Sequence, residues 1–124
     1  MEDEALTPVL RITDAEAAIA WYKRLGFVVD SEWSSGPTFK ETMAVVRRGE
    51  LALILSSREK GLSRSDSLLC FRVADLTPFE QEFNVAASSL FWGRHMELHD
   101  PDGNQIRIVA VTIKPRKGRL IGPN

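Results

Sequence analysis

The residues of this chain that are best suited to chemistry lie on one short segment, in which His95, Glu97 and His99 alternate with apolar side chains. On a β-strand all three would point to the same side. Two imidazoles and one carboxylate are ligands that Zn²⁺ accepts. An extended strand, however, separates positions 95 and 99 by about 13 Å, which is too far for one tetrahedral ion. We therefore interpret the segment as a polar binding surface and keep a metal site at these three residues as the alternative.

The single cysteine, Cys70, adds a second chemical possibility. One cysteine excludes an internal disulfide and a metal site built from several thiolates. A thiol flanked by Leu69 and Phe71 is typical of an unreactive strand residue, although a neighbouring His or Arg could activate it. We predict that Cys70 lines the binding surface and that the chain has no catalytic nucleophile.

A tight turn positions the residues of the first segment. The turn sequence Asp-Pro-Asp-Gly-Asn (100–104) separates two stretches in which apolar residues alternate. Pro101 presets φ for the second turn position, and Gly103 accepts the positive φ that closes a type I turn into a bulge. The pattern predicts a β-hairpin in which Glu97 faces Arg107 on the paired strand. No acidic residue closes the loop at position twelve, so the turn is not an EF-hand.

Two stretches, residues 10–14 and 71–75, share one plan of apolar, Arg, apolar, small and Asp. Each predicts a strand running into a helix, with capping boxes formed by Thr13 and Glu16 and by Thr77 and Glu80. The long offset between the copies predicts a duplicated half-domain rather than a solenoid. The predicted helices cover 15–25 and about 78–83, and further strands are predicted near 27–33, 38–47, 51–56, 67–73, 94–99 and 105–111.

Composition places the chain among single-domain globular proteins. Its 124 residues are 44% hydrophobic and 27% charged, and the formal net charge of −1 argues against a nucleic-acid partner. No apolar run reaches the roughly 20 residues that cross a membrane, and the acidic start is unlike a signal peptide. We expect a cytoplasmic protein without membrane contact. Its domain is expected at 1–113, with modules at about 5–57 and 66–113 and a basic flexible tail at 114–124.

The phrase Trp-Gly-Arg (92–94) and the turn after it resemble the closing hairpin of the vicinal-oxygen-chelate superfamily, which contains glyoxalases, bleomycin-resistance proteins and ring-cleaving dioxygenases. The bleomycin-resistance proteins are the most similar group, and the resemblance covers roughly 7–111. It implies an α+β fold in which two βαβββ modules form a curved mixed sheet around a cleft, and a homodimer that exchanges first strands. The segment 84–91 looks much shorter than in that group, which predicts the loss of most of a loop and puts a strand beside the cleft in question.

The resemblance also implies where a metal ion would bind. Enzymes of the superfamily hold one divalent metal with His, Gln or Glu from four strands. The corresponding positions here are Thr7, Leu68, Arg107 and either Ala52 or Ile54. Leucine has no lone pair, and a guanidinium is not a ligand at ordinary pH. We therefore expect no metal or other cofactor and favour a role without catalysis.

In the bleomycin-resistance proteins, the flat cationic drug is gripped between an aromatic residue of the Trp-Gly-Arg phrase and another from the hairpin after the second strand. Here these positions are Trp92 and either Trp33 or Phe39, which suits a planar ligand. The predicted ligand-binding residues are Trp33, Phe39, Cys70, Trp92, His95, Glu97 and Arg107. Carboxylates that could meet a cationic group are Glu32, Glu41 and Glu97, whereas Arg11, Arg72 and Arg107 would oppose one.

These observations leave three functions open. The preferred one is a metal-free protein that sequesters a planar, partly cationic aromatic compound such as a bleomycin-type antibiotic. The second is a metal-dependent lyase or dioxygenase whose metal has moved to His95, Glu97 and His99. The third is an interaction module whose sheet serves only dimerisation or a protein partner.

Overall fold

The computed structural model describes residues 4–35, 41–57 and 67–112. Its elements are β1 (Val9–Arg11), α1 (Ala15–Arg24), β2 (Val28–Ser34), β3 (Thr42–Arg48), β4 (Leu51–Ser56), β5 (Leu68–Arg72), α2 (Thr77–Phe83), β6 (Ser88–Leu90), β7 (Gly93–His99) and β8 (Gln105–Val111). The order strand, helix and three strands occurs twice, which confirms the predicted α+β fold of two βαβββ modules. Phe39 and the predicted tail 114–124 lie outside the described residues. In the part of the chain that is described, neither helix is long and apolar enough to span a membrane.

The first sheet has the strand order β1-β4-β3-β2. β1 runs parallel to β4, with Val9 opposite Ile54, and the other neighbours are antiparallel. One face packs against α1 and supplies the buried side chains Leu10, Ile12, Ala44, Val46, Leu53 and Leu55. We call the other face, which carries Val9, Trp33 and Ile54, the open face of the first sheet. β1 pairs with β4 of its own chain. The strand exchange and the homodimer stay predictions.

Both capping-box predictions are wrong: Asp14 caps α1, and Leu76 at the N-cap of α2 makes no side-chain capping bond. At α1 the Asp14 carboxylate accepts the Ala17 N–H at 3.2 Å. The Thr13 N–H and hydroxyl donate to the Asp102 carboxylate at 3.0 and 2.8 Å. At α2 the Asp75 carboxylate accepts the Thr77 N–H at 3.0 Å, and hydrogen bonds from Thr77 lower the pKa of Asp75. A carboxylate is the stronger acceptor for the free N–H groups of a first helical turn.

The predicted hairpin turn is confirmed. The Gly103 N–H donates to the Asp100 carbonyl at 3.0 Å, and Gly103 has a φ of +88°. Asp100 is only 5% exposed, and its carboxylate accepts four hydrogen bonds. The donors are the Tyr22 hydroxyl at 2.7 Å, the Asn104 side-chain amide at 2.8 Å, the Asp102 N–H at 2.8 Å and the Asn104 N–H at 2.9 Å. The Asn104 amide also donates to the Arg11 carbonyl at 3.0 Å, so the turn is bonded to both α1 and β1.

Tyr22 gives the fold a sensitivity to alkaline pH. It is the chain's one tyrosine, and burial, with the nearby Asp100 carboxylate adding to it, raises its pKa. The folded chain then keeps the phenol proton where the unfolded chain loses it, so the stability from this group is complete below about pH 10 and declines above it. We expect the free energy of unfolding to fall above pH 10 less steeply in Tyr22→Phe than in the native chain. Urea unfolding at several alkaline pH values measures this, and equal slopes would assign the decline to other groups.

The second sheet has the strand order β5-β8-β7-β6, with Ser88 of β6 opposite His95 of β7. The sequence had put a strand of the short segment 84–91 in question, and β6 shows that a strand is present. Asn84 ends α2 in the left-handed conformation, with a φ of 54°. The Glu80 carboxylate accepts the Ala87 N–H at 2.8 Å and an Arg94 N–H at 3.0 Å. These bonds lead the short segment directly into β7, so a loop of greater length is not needed.

Buried side chains mark the face of the second sheet that packs against α2. Phe71 meets Phe79 of α2 edge to face, with ring centroids 6.3 Å apart, and Met96 and Ile108 are buried. Because side chains alternate along a strand, the odd-numbered residues of β7 and β8 and the even-numbered residues of β5 share the opposite face. We call that face the open face of the second sheet.

Candidate functional site

Two rows of side chains cross the open face of the second sheet. The Gln105 N–H donates to the Ser67 carbonyl at 3.1 Å, and the Val73 N–H donates to the Val109 carbonyl at 2.8 Å. In a parallel pair these bonds place Cys70 beside Arg107 and Arg72 beside Val109. Continued across the antiparallel strands, one row contains Cys70, Arg107 and Glu97, and the other contains Arg72, Val109, His95 and Ser88. Five predicted site residues therefore belong to this part of the chain: Cys70, Trp92, His95, Glu97 and Arg107.

The predicted placement of Glu97 opposite Arg107 is confirmed, and the two side chains form an ion pair. Two guanidinium nitrogens, Nη2 and Nε, donate to Oε2 of Glu97 at 2.9 and 3.2 Å. Each side chain is about 38% exposed, so solvent screens the pair and its net contribution to stability is below about 1 kcal/mol. Its larger consequence is for charge, since the two groups neutralise each other in the middle of the open face.

The alternative metal site at His95, Glu97 and His99 does not form. Among the residues that the structure describes, no three His, Cys, Asp or Glu side chains are close enough to hold a metal ion. Glu97 is bound to Arg107 instead.

The positions that the resemblance assigns to a metal do not fit one either. Leu68 is 50% exposed and offers no donor atom. Arg107 is a cation held by Glu97. Ala52 and Ile54, on β4, have no side-chain donor, which leaves the Thr7 hydroxyl as the one oxygen of the set. A single neutral hydroxyl is not a binding set for a divalent cation.

Trp92 and His95 form the aromatic part of the site. Their ring centroids are 6.5 Å apart and the rings are tilted by 43°. Nδ1 of His95 is buried without a hydrogen-bond partner among the described residues. Trp92 is partly exposed, and its carbonyl accepts the Thr112 N–H at 2.9 Å. The tryptophan is thus fixed through its backbone, while part of its ring stays available for stacking.

Trp33 lies on the open face of the first sheet, opposite Met43, and is 52% exposed. Glu32, its neighbour in sequence, points to the other face, where it lies opposite Ala44. There Glu32 lines an open pocket of about 550 Å³ together with Asp14 and Glu16 at the start of α1. Glu32 and Trp33 therefore lie on opposite faces of the first sheet, because adjacent strand residues face opposite sides.

Comparison with known proteins agrees with this architecture. A sequence profile described as glyoxalase superfamily protein matches residues 2–113. The chain belongs to the glyoxalase superfamily. The resemblance read from the Trp-Gly-Arg phrase and the turn is thereby confirmed. A search of curated proteins returned no match.

Several solved structures have folds similar to that of this chain. A bleomycin-binding protein complexed with bleomycin is 26% identical, has a TM-score of 0.68, and the match covers 87% of this chain and 98% of that one. A bleomycin resistance determinant encoded on the transposon Tn5 is 25% identical, with a TM-score of 0.70 and coverage of 90% and 100%. An antibiotic-binding protein from Streptomyces sp. CB03234 is 21% identical, with a TM-score of 0.69 and coverage of 90% and 100%, and shows the fold alone.

Proposed function

We propose that this member of the glyoxalase superfamily is a small-molecule binding protein that sequesters a planar aromatic compound without a metal ion. The observation that carries the proposal is the pairing of a partly exposed Trp92 with His95 on the open face of the second sheet. A π-face of this kind binds flat ring systems by stacking and dispersion. Sequestration requires affinity alone, which is consistent with the poor metal-donor set at Thr7, Leu68 and Arg107.

Antibiotics are the compound class to test first. Two similar proteins, at 25% and 26% identity, are described as a bleomycin resistance determinant and as a bleomycin-binding protein. The sequence also predicted a partly cationic ligand, and bleomycin-type antibiotics are of that kind. The described structure gives this charge weak support, since Arg107 neutralises Glu97 and Glu32 faces α1.

Trp92→Ala should weaken ligand binding by tenfold or more, because an aromatic residue that stacks on a ligand commonly contributes about 1–2 kcal/mol or more to affinity. Isothermal titration of the chelator-treated protein with bleomycin measures the dissociation constant. Phe91→Ala is the matched control: Phe91 is the adjacent aromatic residue and is 85% exposed. Far-ultraviolet circular dichroism confirms that both variants fold. Equal affinity of Trp92→Ala and the native protein would contradict the assignment of this site.

The partner and location predictions belong to the same proposal. We propose a homodimer, supported by apolar side chains left exposed at Leu6, Val9 and Val28. We also propose a cytoplasmic protein that binds neither nucleic acid nor membrane, in keeping with its net charge of −1. Sedimentation velocity tests the dimer, and a monomer at micromolar concentration would contradict that part.

A further inference from the structure

Arg72 is a cation of the open face that has no protein partner in the described chain. Its side chain is exposed at the end of β5, and within residues 4–35, 41–57 and 67–112 no side-chain hydrogen bond or ion pair holds it. The other arginine of this face, Arg107, is neutralised by Glu97. Glu97 is also the one carboxylate that the described strands β5 to β8 place on the open face. Among the described residues of this face, Arg72 is therefore the positive charge that no carboxylate neutralises.

His95 lies in the same row as Arg72, with Val109 between them. Two strand spacings separate the Cα atoms of Arg72 and His95 by about 10 Å. Nδ1 of His95 is buried and unpaired, and a buried N–H donor without an acceptor is costlier than a buried lone pair without a donor. A ring with a single N–H therefore carries that hydrogen on Nε2. His95 accordingly presents an N–H donor at the open face.

We infer that the ligand carries an acidic group, a carboxylate, which Arg72 and the Nε2–H of His95 bind while the aromatic part lies against Trp92. The inference rests on the proposed function and specifies its ligand class. A carboxylate is an acceptor-only group, and it matches two donors that face it across the apolar Val109. Arginine binds carboxylates with paired, charge-assisted hydrogen bonds, so the acid also fixes the orientation of the aromatic ring.

Three ligands of nearly equal shape test the charge: naphthoate, naphthamide and naphthylmethylammonium. Isothermal titration of the full chain should give the tightest dissociation constant for naphthoate. Arg72→Gln keeps most of the side-chain length and removes the charge, so it should weaken naphthoate binding by about tenfold or more and leave naphthamide unchanged. Arg72→Lys should recover part of the loss. Arg47→Gln is the matched control, because Arg47 is also exposed but is paired with Asp30 at 3.5 Å.

Failure of this inference can be distinguished from failure of the proposed function. Equal binding of naphthoate and naphthamide, a preference for the ammonium compound, or no binding of naphthoate would each overturn the acidic ligand. Titration of native protein and Trp92→Ala with bleomycin reports on the proposed function separately. Trp92→Ala could lose bleomycin affinity while naphthoate binds no more tightly than naphthamide. That result would support the proposed sequestration and contradict the acidic ligand. Since Arg72 is exposed, Arg72→Gln should keep the native thermal midpoint, and an unchanged melting curve excludes unfolding as the cause of lost affinity.

Discussion

Replacing Asp100 with alanine is expected to lower the free energy of unfolding by about 3 kcal/mol or more. Asp100 is 5% exposed, and its carboxylate accepts four hydrogen bonds, from Tyr22, Asp102 and twice from Asn104. Alanine would leave the Tyr22 hydroxyl and the Asn104 amide without this acceptor in a site that water reaches poorly. Each unsatisfied buried donor costs about 1–3 kcal/mol. Urea unfolding followed by circular dichroism gives the free energy directly.

Two further variants separate the carboxylate from the turn as a whole. Asp102→Ala removes a carboxylate of the same turn whose bonds to Thr13 are exposed, so it should cost less than about 1 kcal/mol. Tyr22→Phe removes one of the four bonds to Asp100 and should cost about 1–2 kcal/mol at neutral pH. The double variant Tyr22→Phe with Asp100→Ala should then lose less than the sum, because the two groups share a bond. Equal losses from Asp100→Ala and Asp102→Ala would refute the central role of Asp100.

The same turn shows how far local sequence determines this fold. Pro101 and Gly103 specify the turn through their own φ preferences, and the structure has that turn. Tyr22 is fully buried. Its bond to Asp100 joins residues 78 positions apart, and no local pattern contains that information. The capping box at Thr13 was predicted wrongly for the same reason, because the Thr13 hydroxyl donates to Asp102, which is 89 positions away in the sequence.

The candidate site was partly predictable for the same physical reasons. Strand periodicity placed His95 and Glu97 on one face and paired Glu97 with Arg107, because both depend only on alternation and on the register of a short hairpin. It could not show that Arg72 keeps no partner in the described chain, which depends on every side chain around it. The strand β6 was also out of reach, since it forms through the contacts of Glu80 with Ala87 and Arg94.

Gly93→Ala is the second substitution with a large expected effect, and the reason is the distance between two strands. A Cβ added at Gly93 would overlap the carbonyl oxygen of Ala110 and lie 3.0 Å from the Cα of Val111. Both atoms belong to the backbone of β8, so no side-chain rotation relieves the overlap. We expect β7 and β8 to separate at this point and the free energy of unfolding to fall by about 3 kcal/mol.

Gly49→Ala supplies the control for Gly93→Ala. Gly49 has a φ of +58°, and a Cβ there meets no atom within 4 Å, so alanine costs only the backbone strain of about 1–2 kcal/mol. The two substitutions also differ in function. Gly93 follows Trp92 directly, and moving β7 from β8 displaces that ring, so Gly93→Ala should weaken bleomycin binding, whereas Gly49→Ala should not. Equal stability of the two variants would contradict the claim that the close approach of β7 and β8 requires glycine at position 93.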